Sequence, residues 1–134
     1  MNIRKSYVVD EKGIVAFLKG ESSASYLISL FKEAESGKVA IFIPISAYGY
    51  IYSWAQKEGY RLIKIHDILS SLPLIIYNFD RDFIDKTVNF NELHLEYSMG
   101  QAILLTLAKE KSATIVTADK SLKTDDPTIS INWV

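Results

Sequence analysis

The stretch "ATIVTADK", residues 113 to 120, runs β-branched and apolar residues directly into an aspartate and then a lysine. Thr114, Ile115, Val116 and Thr117 predict a short strand apolar enough to be covered on both faces, the signature of a parallel sheet. Asp119 closes it. Turn chemistry alone accounts for an aspartate at a strand end, so the meaning of Asp119 depends on what the rest of the chain brings to the same edge.

Working outward, "SMGQAILLTLAKEKS" (98–112) predicts a helix that is apolar nearly all round from Ala102 to Ala108, hence central. Before it, "PLIIYNF" (73–79) predicts a strand, and Asp80 caps a helix through "DRDFIDKTVNFNEL" with Phe83, Ile84 and Val88 as its apolar stripe. "VAIFIP" (39–44) predicts an earlier strand, followed by a helix from Ile45 to about Gly59 and an amphipathic helix in "RLIKIHDILSSL" (61–72). The first strand is "SYVVD" (6–10). It leads into "EKGIVAFLKG", a brief helix stopped by Gly20, and then into "ESSASYLISLFKEAESG", whose serines suit an N-cap and which ends at Gly37. "TISINWV" (128–134) predicts a terminal strand. Strands alternating with helices predict an α/β fold of three layers: a mostly parallel central sheet of about five strands with helices on both faces, in one domain over 1–134.

In such sheets ligands bind beyond the carboxyl ends of the strands, where the strand order reverses. Asp10 and Asp119 both stand at such an end. Two carboxylates converging on one edge suit a hard cation such as Mg²⁺ or Mn²⁺, which can activate water and stabilise charge at phosphorus.

Composition narrows the alternatives. The 134 residues are 49% apolar with a formal net charge of −1, which excludes disorder and offers no global positive field for nucleic acid. There is no cysteine, so disulfides, thiolate catalysis and sulfur-ligated zinc are excluded. His66 and His94 stand apart from any zinc-like spacing. The N-terminus "MNIRKSYVVDEKG" lacks a signal-peptide core, so an intracellular, cytoplasmic protein is expected. "VAIFIPISAYGYIYSWA" (39–55) is uncharged but shorter than the roughly 20 residues of a spanning helix and broken by Pro44 and Gly49, so no membrane is implied. No glycine-rich phosphate loop follows the first strand, which ranks a small-molecule or phosphate-binding domain low.

The element order, with "YVVD" at the start and "SATIVTADKSL" near the end, resembles the PIN domain, most of all the single-domain ribonucleases of the VapC toxin group. The resemblance covers essentially the whole chain. It implies a PIN-like fold, metal-dependent cleavage of RNA, an antitoxin-like protein partner and a homodimer. It also implies four acidic positions. Asp10 and Asp119 match the first and last, as catalytic and metal-binding residues; Tyr50, in "IPISAYGYIYSW", stands at the second, and Gln101, followed by the small Ala102, at the third. Glu11 takes the place of the Ser or Thr commonly found after the first acid.

With two of the four acids replaced by uncharged side chains, one Mg²⁺ or Mn²⁺ at most is expected, weakly held. Glu11 and Glu96, and beyond them Asp125 or Asp126, are the acids that could substitute. Glu11 follows Asp10 directly and points to the opposite face unless the strand has already ended. Tyr48, Tyr50, Tyr52 and Trp54 recur with period two, so a strand competes with the helix here. On a helix Tyr48 and Tyr52 share a face and Tyr50 lies elsewhere; the rings either pack in a core or interface or stack on unpaired bases. Arg4, Lys5, Lys12, Lys120 and Lys123 are the basic residues available to rim a cleft. The leading expectation is a PIN-type domain with an impaired nuclease site that acts by binding a partner protein or, weakly, single-stranded RNA. The alternative is an active Mg²⁺- or Mn²⁺-dependent endoribonuclease, the toxin of a toxin-antitoxin pair, with a rearranged acid set.

Overall fold

The computed structural model describes residues 4–93 and 97–134. Five strands and six helices follow one another as β1 (Lys5–Val9), α1 (Glu11–Leu18), α2 (Ser25–Glu35), β2 (Val39–Pro44), α3 (Ser46–Lys57), α4 (Leu62–Ser71), β3 (Ile75–Tyr77), α5 (Arg81–Leu93), α6 (Met99–Lys111), β4 (Thr114–Thr117) and β5 (Ile131–Trp133). The strands form one sheet in the order β3-β2-β1-β4-β5, and every neighbouring pair is parallel. The α/β, three-layer expectation therefore holds.

Alternation along the strands divides the core in two, as the two-residue period of a strand requires. Tyr7 and Val9, Val39, Ile41 and Ile43, and Val116 pack on one face with residues of α1, α2, α3 and α4. Val8 and Ile115, with Phe42 beside them, pack on the other with α5 and α6. Every side chain from Ala102 to Ala108 is buried, in keeping with a helix apolar all round.

The "YGYIYSW" segment is helical, so the period-two tyrosines are not a strand. Its buried residues are Ala47, Ile51 and Ala55, spaced four apart, and that spacing outweighs the alternation of the rings. One detail of the second helical segment differs from expectation. Ser22–Ala24 form a separate 3₁₀ turn, and α2 starts without a side-chain cap. Gly20 and Gly37 lie just past the ends of α1 and α2 with φ of 70° and 80°, the left-handed backbone that glycine adopts without steric cost.

The strand order fixes where a site can lie. The chain runs outward from β1 through β2 to β3, then returns to place β4 on the other side of β1. The reversal falls between β1 and β4, and Asp10 and Asp119 lie just past the ends of those two strands. Among the described residues no helix is long and apolar enough to cross a membrane.

Candidate acidic site at the β1–β4 edge

Asp10 ends β1 and serves as the N-cap of α1: its Oδ1 accepts from the backbone N–H of Gly13 at 2.8 Å. Oδ2 accepts from the hydroxyl of Thr117, the last residue of β4. That same Thr117 Oγ1 accepts from the backbone N–H of Asp119 at 2.9 Å. One hydroxyl thus ties the two aspartates together. The strand ends bring them to one rim, as their positions in the sequence predict. Gly13 closes the floor, since a Cβ there would lie 3.1 Å from Val9 Cγ2 and 3.3 Å from Asp10 Oδ1.

Gln101 stands in the first turn of α6 as half of a capping box. Its Oε1 accepts from the N–H of Ser98 at 3.3 Å, while its own N–H donates to Ser98 Oγ at 3.2 Å. With Oε1 so engaged, Nε2 faces the site and donates to Asp119 Oδ2 and to Ser121 Oγ, both at 3.3 Å. An aspartate at this place would repel Asp119; the amide donates to it. Ser121 adds its backbone N–H at 3.0 Å and its hydroxyl at 2.6 Å, both to Asp119 Oδ1, and Lys12 Nζ lies 3.6 Å from Oδ2.

These surroundings drive the two carboxyls apart. Asp10 is only 4% exposed, and burial pushes its pKa up to about 6 against the hydrogen bonds of Thr117 and Gly13, with the charges of Glu11 and Asp119 adding to the rise. For Asp119 burial acts in the same sense, but the hydrogen bonds from Ser121 and Gln101 and the Lys12 charge together outweigh it and hold the carboxyl below the usual range. Asp119 stays ionised well into acid, whereas Asp10 is ionised at neutral pH at a cost. Asp10 exchanges its proton near pH 6.

Among the described residues the substitutes do not assemble around this pair. The strand has ended before Glu11, which opens α1, so strand alternation does not decide its direction. Yet among the described residues no three of His, Asp and Glu come together to hold a metal. Asp126 is held elsewhere: it accepts from Lys109 Nζ at 2.8 Å and from the Thr128 hydroxyl at 2.6 Å. Lys109 lies eight residues beyond Gln101 on α6, about 12 Å along the axis. Asp125 is exposed, and Glu96 and His94 lie outside the described residues. The donor set does not fit a divalent ion well. Among the described residues it offers two carboxylates, one already bonded by Gly13 and Thr117 and the other faced by an ammonium and an amide donor.

Tyr50, the other replaced position, is 49% exposed. Tyr48, Tyr52 and Trp54 pack partly buried against the core, with the Tyr48 and Tyr52 rings 6.3 Å apart. His66 stands beside Tyr52, Oη to Nδ1 3.3 Å. Of the basic residues, Lys12 reaches the site, while Arg4 and Lys5 precede or open β1, about 16–20 Å of strand away from Asp10. Lys120 donates to the Val134 carbonyl at 3.1 Å, and Lys123 is exposed. Thr117, Ser121 and Gly13 were not singled out from the sequence. The signal for the first two was present: a hydroxyl two residues on either side of an aspartate is the spacing of local side-chain-to-backbone turns.

No protein-family model matches the sequence, and no curated protein matches it either. Solved structures do match. A toxin-antitoxin complex from Klebsiella pneumoniae contains a chain that aligns with TM-score 0.74 at 14% identity, over 96% of this chain and 99% of that one. VapBC2 from Rickettsia felis, bound to a DNA fragment from its promoter, aligns with TM-score 0.72 at 19% identity over 96% and 98%. VapC20 from Mycobacterium tuberculosis, a sarcin-ricin loop cleaving toxin, aligns with TM-score 0.64 at 14% identity over 87% and 92%. The fold is that of a VapC-type PIN domain.

Proposed function

We propose that residues 1–134 form a single PIN-type domain whose nuclease site is impaired and which works by binding a protein partner. Gln101 carries this reading. Where the resemblance puts an acid, an amide fixed by the capping box hydrogen-bonds Asp119, so the edge lacks the negative charge needed to retain a full catalytic metal complement. One Mg²⁺ or Mn²⁺ at most would be held by Asp10 and Asp119, and weakly.

A protein partner is favoured by the face formed by α3, α4 and the edge strand β3. Ile45, Leu62, Ile63 and Ile76 are exposed there, and Tyr48, Tyr52 and Leu69 help line an adjoining cavity of about 320 Å³. Exposed apolar surface of this kind marks interaction sites. The matched Klebsiella and Rickettsia structures are toxin-antitoxin assemblies, and by extension an antitoxin-like protein, or a second copy of the chain, is the proposed occupant.

Incubating the purified protein with single-stranded RNA and Mn²⁺ tests the reading. No cleavage is expected from the wild type. Metal-dependent cleavage that disappears in Asp10→Asn would instead establish the active, toxin-like endoribonuclease. If Tyr50→Glu combined with Gln101→Asp gains cleavage, the missing acids are identified as the cause of the impairment.

A further inference from the structure

Asp119 is surrounded by donors. Oδ1 accepts from the N–H and the hydroxyl of Ser121, and Oδ2 meets Gln101 Nε2 at 3.3 Å and Lys12 Nζ at 3.6 Å. An ionised carboxylate presents about four lone-pair sites on its two oxygens. Three hydrogen bonds take up most of these sites, and the Lys12 ammonium stands in front of the remaining one on Oδ2. An incoming ion would have to displace the amide and then share the edge with an ammonium.

The position of Lys12 carries a second indication. It lies in the first turn of α1, where unpaired N–H groups make the helix end positive and disfavour a lysine. Asp119 supplies the compensating charge from across the β1–β4 edge. The lysine, the amide and the serine come from three separate elements of the chain, α1, α6 and the turn after β4, and all converge on this one carboxylate.

We infer that Lys12, seated beside Gln101 on Asp119, is a tethered cation that takes the place of a divalent ion and closes the acidic edge to metal. The inference deepens the proposed function, since it names what neutralises the site once two acids are gone. It implies that neither folding nor partner binding depends on metal.

Manganese titration followed by electron paramagnetic resonance, with thermal melting of the same samples, tests it. Wild type and Lys12→Arg should leave millimolar Mn²⁺ free and unshifted in melting temperature. Lys12→Ala should bind Mn²⁺ about tenfold tighter than wild type, the scale of relieving one unit charge at a screened surface site. Lys12→Ala with Gln101→Asp should bind one ion and melt higher as Mn²⁺ rises, and adding Asp119→Asn should abolish both effects. Circular dichroism checks that each variant is folded; should the double variant fail to fold, the half-buried Lys12→Ala decides alone.

Mn²⁺ bound by the wild type and lost in Asp119→Asn would overturn the inference, as would a folded Lys12→Ala no tighter than wild type. Such binding without RNA cleavage would sink the tethered cation yet leave the impaired-nuclease reading standing. Absence of binding together with metal-independent cleavage would do the reverse.

Discussion

Asp10 is ionised at a cost. Its folded pKa of about 6 lies above the 3.8 of a free carboxyl, so between those values the unfolded chain has lost a proton that the folded chain keeps. Stability falls as pH rises through this window and stays reduced above it. Asp10→Asn, which keeps an N-cap oxygen for Gly13, should therefore stabilise the protein at pH 7 by about 1–3 kcal/mol. Below about pH 4 the gain should vanish in denaturant titrations; an Asn variant less stable than wild type at pH 7 would contradict this account of the burial. Gln101→Asp should act in the other direction, costing about 1–2 kcal/mol at pH 7 in metal-free buffer, because it replaces a donor to Asp119 with a like charge. At this scale the sequence revealed the two strand-terminal aspartates and, only through the family resemblance, the glutamine. Lys12 appeared in it only as one basic residue among several. Its pairing with Asp119 depends on where the first turn of α1 meets the end of β4, which no local pattern encodes.

At the scale of elements, α6 depends on its cap. Ser98→Ala should cost about 1 kcal/mol, read as a lowered melting temperature, since it removes the acceptor for the Gln101 N–H. The loop from β4 to β5 depends on Asp126, which is buried, paired with Lys109 and bonded to Thr128. The Lys109 ammonium, with Thr128, holds this carboxyl well below the usual range. Its contribution is thus complete above the unfolded carboxyl value of 3.8 and is lost as pH falls further. Asp126→Ala should cost about 2 kcal/mol at pH 7, and chemical denaturation at pH 7 and pH 3 should show the difference from wild type shrinking in acid. Helix and strand positions were largely legible, because apolar spacing dictates them. The 3₁₀ turn at Ser22–Ala24 was not, because serines suit an N-cap and a tight turn equally well. The role of Asp126 was also hidden, since a pairing between α6 and a loop leaves no periodic trace.

For the whole molecule, strand order explains why a site exists at all. Nothing in "SYVVD" or "ATIVTADK" says that β1 and β4 are neighbours; the order β3-β2-β1-β4-β5 makes them so and sets both aspartates at the reversal. The same topology leaves β3 at an edge, with Ile76 exposed beside α3 and α4 and Ile75 exposed on the opposite face. Ile63, 66% exposed on α4, should tolerate change to Glu within about 0.5 kcal/mol of wild-type stability. If the apolar face is where a second copy docks, sedimentation should show wild-type dimers dissociating in Ile63→Glu; dimers of unchanged affinity would place the contact elsewhere.

The acidic edge itself is tested most directly by anomalous diffraction from crystals soaked in manganese. The account predicts no anomalous peak between Asp10 and Asp119, with the Lys12 ammonium and the Gln101 amide in contact with Asp119. A peak there, gripped by both aspartates and a third acid such as Glu11 or Glu96, would contradict it.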